Sequence, residues 1–224
     1  MNVLLVVYNN DSYIHTFPQG LAYIAAVLRK SGHDVTSYNQ DLHHWPDAHL
    51  TAYRDSRHFD VVGISVIGGY YQYRKLLALS AAINASKQRP YYIIGGHGPA
   101  PDPVYFLRKT GADAVVIGEG EDTVLELLGA IGDSAKMPRV KGIAYRDGEQ
   151  VIINERRPLI ADIDSIPMPA YDLFPMQYYR LLRSPHTTNR DFVACMLGGR
   201  GCSFTCNFCF RMDLGLRQRS SEGI

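Results

Sequence analysis

Residues 60–96 read DVVGISVIGGYYQYRKLLALSAAINASKQRPYYIIGG. DVVGISVIGG (60–69) is an apolar, β-branched run that closes on glycines, as expected of a strand buried on both faces. YQYRKLLALSAAINAS (71–86) predicts a helix. YYIIGG (91–96) is a second strand-like run, again ending in glycine. Strand, helix, strand in this order implies a right-handed crossover and a parallel pair.

The same alternation extends both ways. VLLVVY (3–8) reads as a buried strand. GLAYIAAVLRKSG (20–32) puts Leu21, Ile24, Ala25 and Leu28 on one helical face and stops at Gly32. DVTSYN (34–39) reads as a further strand, and residues 45–58 are polar and weakly helical. Residues 103–110 predict a short helix closed by Gly111. DAVVIGEGE (113–121) is a fifth strand with a glycine turn, and DTVLELLGAI (122–131) the last helix. The expected fold is α/β, a doubly wound five-stranded parallel sheet of the Rossmann or flavodoxin-like kind, over residues 1–135. Ligands of such sheets lie outside the carboxyl ends of the strands. Three strands end there in glycine: Gly68-Gly69, Gly95-Gly96 and Gly118-Glu119-Gly120. Glycine closes tight turns and also admits close approach of a ligand. Three such turns at one edge favour a large ligand lying across it.

Beyond the last helix, KGIAYRDGEQVIINE (141–155) predicts a β-hairpin turning at Asp147-Gly148. Pro158, Pro167, Pro169 and Pro175 follow, interleaved with Ile160, Ile163, Ile166, Tyr171, Leu173 and Phe174 that can pack. Residues 136–190 are therefore expected to be a hairpin and an ordered linker. DFVACMLG (191–198) reads as another strand and leads into GRGCSFTCNFC. The formal net charge of the 224 residues is +1, which leaves no basic footprint for nucleic acid. MNVLLVVYNN has no basic leader region or cleavage site, and no apolar stretch approaches a membrane span. A cytoplasmic protein is the expectation.

Cysteine is absent before Cys195, and all four cysteines then fall within fifteen residues. Clustering of this kind favours metal binding over a disulfide framework. Cys202, Cys206 and Cys209 have the spacing C-x3-C-x2-C. Thiolates are soft ligands suited to zinc or iron–sulfur clusters. Structural zinc takes four protein ligands, often in paired C-x2-C units. Three cysteines leave one iron of a 4Fe-4S cluster open, as a catalytic cluster requires. Zinc with Cys195 as fourth ligand and unliganded thiols are the alternatives; Cys195, within the strand-like run, is expected to point into the sheet.

GRGCSFTCNFC, with Phe208 before the last cysteine, resembles the cluster loop of the radical S-adenosylmethionine superfamily. That resemblance implies a 4Fe-4S cluster on Cys202, Cys206 and Cys209, with S-adenosylmethionine chelated at the unique iron. Phe208 would then lie near the adenine, unless it serves loop packing. An external electron donor such as flavodoxin or ferredoxin is also implied. PQGLAYIAAVLRKSGHDV, DVVGISV, YYIIGGHGPAP, ADAVVIGEGEDTVLELL and the ADIDSIPMPAYDLFP linker resemble the cobalamin-binding domains fused to such enzymes. By this resemblance Ser65, Gly95 and Gly96 would face the nucleotide tail of cobalamin. Gly118, Glu119, Gly120 and Thr123 would border the tail or corrin. Strand packing for Ser65, a helix-start role for Thr123 and helix-terminal charge for Glu121 and Asp122 are the plainer readings.

The family's D-x-H-x-x-G motif is missing from NNDSYIHTFPQG (9–20), so no histidine of that loop is expected to ligate cobalt in the usual way. His15 is a weak candidate for corrin contact; His43, His44 and His97 read as surface or loop residues. The implied activity is methyl transfer to an unactivated carbon or phosphorus centre, on a small-molecule substrate the sequence does not specify. Ring formation or rearrangement, a cobalamin-binding module alone, and a degenerate domain without cofactor are the alternatives. A methylthiotransferase would carry further cysteines in its first domain. Residues 191–224 would be the first strand and cluster loop of a radical barrel. Fifteen residues follow Cys209, fewer than a barrel needs, so this chain by itself is expected to lack catalytic competence.

Overall fold

The computed structural model describes residues 1–11, 16–182, 194–209 and 215–224. The elements in chain order are β1 (Asn2–Val7), α1 (Gln19–Lys30), β2 (Asp34–Asn39), α2 (Gln40–His43), α3 (His49–Asp55) and β3 (Val61–Ser65). Then come α4 (Tyr70–Asn84), β4 (Tyr91–Gly95), α5 (Pro103–Thr110), β5 (Ala114–Val116), α6 (Glu121–Ala130), β6 (Ile143–Asp147) and β7 (Gln150–Ile153). A short α7 (Met176–Tyr179) precedes β8 (Gly199–Cys202) and β9 (Gly215–Gln218).

The main sheet runs β2-β1-β3-β4-β5-β6-β7. The first five strands in that order pair in parallel, while β6 and β7 are antiparallel. The doubly wound reading therefore holds, but the sheet has seven strands rather than five. The 141–155 hairpin is not a separate attachment. Its Ile143 and Ala144 are fully buried and pair with Val116 and Val115. Without them β5, only three residues long, would be an unpaired edge. The hairpin turn falls on Gly148 and Glu149, with Asp147 opposite Gln150 and Gly148 at φ +59°.

Alternation along the strands builds two cores. Leu4, Val6, Val62, Ile64, Tyr92 and Ile94 pack with the apolar faces of α4 and α5, through Leu76, Leu79 and Leu107. Val3, Leu5, Val7, Val61 and Ile93 face α1 and α6, through Leu21, Leu28, Val124 and Leu127. The proline-rich stretch is packed, as its interleaved apolar residues predict. Ile163, Ile166, Ala170 and Phe174 are buried. Phe17 meets the rings of Tyr171, Phe174 and Tyr179 at centroid distances of 5.4–5.6 Å. Ala170 N donates to Ala22 O at 3.0 Å, tying the stretch to α1.

The expected strand over 191–198 is not formed by residues 194–198, and 191–193 lie outside the described residues. Backbone groups there are met by tyrosines instead. Tyr171 Oη donates to Cys195 O at 2.6 Å, and Leu197 N donates to Tyr23 Oη at 3.3 Å. Extended pairing begins at Gly199, where β8 meets β9 antiparallel. Among the described residues these two strands pair only with each other.

Helix α5 gives a local test. Pro103 opens it, Asp102 Oδ1 accepts from Tyr105 N at 3.1 Å, and Gly111 closes it at φ +68°. Asp102→Ala is expected to cost about 1 kcal/mol of stability, read as a lowered urea midpoint with an unchanged denaturant slope.

Candidate cobalamin site and cysteine hairpin

The carboxyl ends of β1, β3, β4 and β5 lie at one edge of the sheet, and their loops build the site. The loops after β3 and β4 are stitched together. Val66 N donates to Gly95 O, and Gly98 N donates to Val66 O, both at 2.9 Å. Gly96 is at φ +91°, and a Cβ there would stand 2.5 Å from Val66 O and 2.9 Å from Ser65 Oγ. A Cβ on Gly20, in the first turn of α1, would stand 3.9 Å from the same hydroxyl. Ser65 is thus set in a narrow cradle between the start of α1 and the loop after β4. Gly68 (φ +146°) and Gly118 (φ +86°) open onto free space, with no atom of the described residues within 4 Å of their Cβ positions. Beside this edge a cleft of about 290 Å³ is lined by Val66, Gly68, Gly69, Tyr73, Gly98 and Phe106.

The loop after β1 is held from α2. Asn9 N donates to Gln40 Oε1 at 3.1 Å and Asn10 N to Asp41 Oδ1 at 2.8 Å. Burial raises the Asp41 carboxyl above its ordinary value, against the lowering effect of Asn10 and His44. Thr16 Oγ1 and Gln19 Nε2, at the start of α1, are buried without a hydrogen-bond partner among the described residues. Buried polar atoms of this kind are normally satisfied, so their donors and acceptors suit a polar ligand. A small-residue cradle, open glycines and unmet polar atoms at one edge fit a large, amide-bearing cofactor such as cobalamin. His15 lies outside the described residues, and His97 is exposed.

The remaining expected contacts divide. Gly95 faces Val116, and a Cβ on Gly120 would meet Ile24 Cδ1 at 2.8 Å, so these two glycines serve internal packing. Thr123 is fully buried. Its hydroxyl donates to Glu119 O at 3.0 Å and accepts from Arg157 Nε at 2.9 Å, so it is not presented at the edge. The Glu119 carboxylate is held in a charge network. Its Oε1 accepts from Arg200 Nη1 at 3.0 Å, and its Oε2 from Arg217 Nη1 at 2.9 Å and Ile160 N at 2.7 Å. Arg200 also grips both oxygens of Glu121, at 2.5 and 3.1 Å, and its guanidinium lies 5.5 Å from the Tyr23 ring centre. Glu121, favoured in the sequence as helix-terminal charge, is 5% exposed and bound to a strand 79 residues away.

Burial alone would lower the Arg200 guanidinium, but the Glu121 and Glu119 carboxylates outweigh it and hold it well above its ordinary value. For Glu119 burial acts to raise the carboxyl. The hydrogen bonds from Arg217, Ile160 N and Arg200 overcome this and hold it below its ordinary value. None of these arginines was singled out by the sequence. Arg200 lies inside the GRGC motif, yet its partners are too distant along the chain for any local pattern to reveal them.

Cys202, Cys206 and Cys209 form no disulfide and are half-buried, half-buried and exposed in that order. Phe204 N donates to Cys202 Sγ at 3.4 Å. No group of three or more metal-binding side chains is gathered among the described residues. Three soft thiolates suit an iron–sulfur cluster, but the described residues do not bring them together around one point. Phe208 is 84% exposed on the same loop. Cys195 packs against the α1-side core rather than joining the loop, and burial pushes its thiol up.

Residues 5–128 match the B12 binding domain. The chain belongs to the B12-binding domain family. This B12-binding domain and the residues after it are 31% identical, over 220 residues, to an uncharacterized methyltransferase of Pyrococcus horikoshii, covering 93% of this chain and 45% of that protein. They are 29% identical to cytidylyl-2-hydroxyethylphosphonate methyltransferase of Streptomyces wedmorensis, over 100% of this chain and 50% of the relative. The chain thus spans about half the length of these curated relatives. The solved structure of the cobalamin-dependent S-adenosylmethionine radical enzyme OxsB, with aqua-cobalamin and S-adenosylmethionine bound, superposes with a TM-score of 0.77. At 20% identity, over 99% of this chain and 30% of that one, the match establishes the shared fold. The B12-binding domain is homologous to part of the cobalamin-dependent radical S-adenosylmethionine enzymes. Among the described residues no helix is long and apolar enough to cross a membrane.

Proposed function

We propose that this chain is the cobalamin-holding part of a radical S-adenosylmethionine methyltransferase acting on an unactivated carbon or phosphorus centre. The observation that carries the reading is the junction of two features. The glycine-rich edge of a B12-binding domain is joined by a buried charge network to the hairpin that bears Cys202. The names of two relatives, both methyltransferases and one acting on a phosphonate, support methyl transfer.

Gly68 and Gly118 would admit the corrin and its tail, with Gly96 letting the neighbouring loops close beneath it; Ser65 would hydrogen-bond the tail, and Thr16 and Gln19 would meet polar groups of the ligand. Cys202, Cys206 and Cys209 would hold a 4Fe-4S cluster, with Phe208 beside bound S-adenosylmethionine. When bound, these groups supply a carbon radical and a transferable methyl. The protein's own part is to seat them side by side and exclude water. Flavodoxin or ferredoxin is proposed as electron donor, and a small molecule as substrate.

Absorbance titration of the chain with hydroxocobalamin tests the first step, with micromolar binding expected. Gly118→Val, whose added side chain would enter the open edge, is expected to weaken binding at least about tenfold while the chain stays folded. Absence of binding by the parent chain would sink the cobalamin reading. For methyl transfer, the enzyme of relative length is supplied with methyl-labelled S-adenosylmethionine. Release of 5′-deoxyadenosine without any labelled product would rule that reaction out.

A further inference from the structure

Glu119, Glu121, Arg200 and Arg217 form their network where the β8–β9 hairpin meets the loop after β5. Their side chains are only 6, 7, 13 and 17% exposed. Withdrawing two carboxylates and two guanidinium groups from water is costly. Apolar residues of like volume would hold the two surfaces at least as well. What a forked, charge-assisted contact adds is geometric definition: a guanidinium fits a carboxylate in one plane and at one offset.

The definition falls between two particular segments. Glu119 directly follows Gly118, whose Cβ position opens to free space at the ligand edge. Arg200 stands two residues before Cys202 on β8. The intervening Gly201 is at φ +86°, with its Cβ position against Gly215 O, so the hairpin backbone is closely paired there. A short path therefore runs from Gly118 through Glu119 and Arg200 to Cys202. Three further contacts keep the hairpin in place. Arg217 donates to Ile160 O at 2.7 Å, Arg219 to Ile166 O at 2.9 Å, and Arg219 lies 5.8 Å from the Tyr23 ring centre.

We infer that Arg200 is a positioning residue that registers the cysteine loop against the Gly118–Gly120 loop, so that ligand binding at the sheet edge is coupled to order in the hairpin. The inference rests on the cobalamin reading. Linkage makes the coupling reciprocal, so an ordered cysteine loop also tightens cobalamin binding.

Amide hydrogen exchange on the whole chain, with and without hydroxocobalamin, is the test. In the parent chain the cofactor is expected to slow exchange in 199–202 and 215–218 by about fivefold or more. Arg200→Lys keeps the charge and removes the planar fork. It is expected to bind hydroxocobalamin with slow exchange preserved in β1 and β3, yet to lose the hairpin response. Glu121→Gln keeps the shape and removes the charged acceptor, and the same loss is expected; it decides the matter if Arg200→Lys disturbs the core. A parent chain that binds cobalamin without a hairpin response overturns the inference. So does an undiminished response in both variants. A parent chain that fails to bind hydroxocobalamin overturns the cobalamin reading itself, and this inference with it.

Discussion

Gly96→Val is expected to remove about 3 kcal/mol or more of folding stability, seen as a large fall in the urea midpoint. Two effects add. The backbone at φ +91° lies where L side chains are strained. The new Cβ would also stand 2.5 Å from Val66 O and 3.0 Å from Val66 N. Those atoms cannot yield cheaply, because Val66 N donates to Gly95 O, Val66 O accepts from Gly98 N, and Val66 is 2% exposed. Gly118→Ala is the control. It carries a similar φ of +86° with no atom of the described residues within 4 Å, so only the conformational cost of about 1 kcal/mol is expected. Equal losses in Gly96→Val and Gly118→Ala would mean that the loops after β3 and β4 do not close as tightly as described.

Arg200→Met comes second in expected size, at about 3 kcal/mol. It strands the Glu121 carboxylate and takes one of two guanidinium partners from Glu119. The cost arises from leaving buried charge unpaired, more than from the worth of the pair. The double variant Arg200→Met/Glu121→Leu should therefore recover most of the loss, and non-additivity in denaturant unfolding measures it. If the double variant is the sum of its parts, the contact between Arg200 and Glu121 is not made in solution. The network also sets a pH dependence. The Glu119 carboxyl is held low in the folded chain, so its stabilising contribution is present at neutral pH. It disappears as pH falls below the ordinary glutamate value of about 4. Unfolding midpoints measured from pH 7 downward should show this loss in the parent chain and a shallower one in Glu119→Gln.

Much of the fold was legible because its signals are local. VLLVVY, DVVGISV and YYIIGG are short runs rich in valine, leucine or isoleucine, each leading to a helix-forming stretch, the last two through glycine turns. Apolar runs joined through helices are what buried parallel strands require. The packed character of the proline-rich stretch was also legible, since Ile163, Ile166 and Phe174 offered apolar surface that had to be covered. Residues 194–198 depart from the expected strand because apolar composition does not distinguish a strand from backbone satisfied by side chains. Tyr23 and Tyr171 supply the hydrogen bonds there.

The candidate site divides in the same way. Glycines at strand ends mark an edge open to a ligand, and C-x3-C-x2-C marks a thiolate loop, because backbone conformation and ligand chemistry are properties of the residues themselves. The orientation of each side chain is not such a property. Glu119 and Thr123 were expected at the cofactor edge. The structure engages the Glu119 carboxylate with Arg200 and Arg217, and buries Thr123 beside Arg157, contacts that the sequence did not reveal.

By itself, then, the sequence determined that a parallel α/β sheet presents glycine-ended strands on one side and carries a cysteine motif behind it. Only the tertiary structure decided that the 141–155 hairpin completes that sheet. It alone decided that the first strand of the cysteine motif is tied to the glycine edge by paired charges. Pairing of β6 with β5, and of Arg200 with Glu119 and Glu121, joins residues about 30 and 80 positions apart. Such contacts depend on the closed chain, and no periodicity or motif within a local window encodes them.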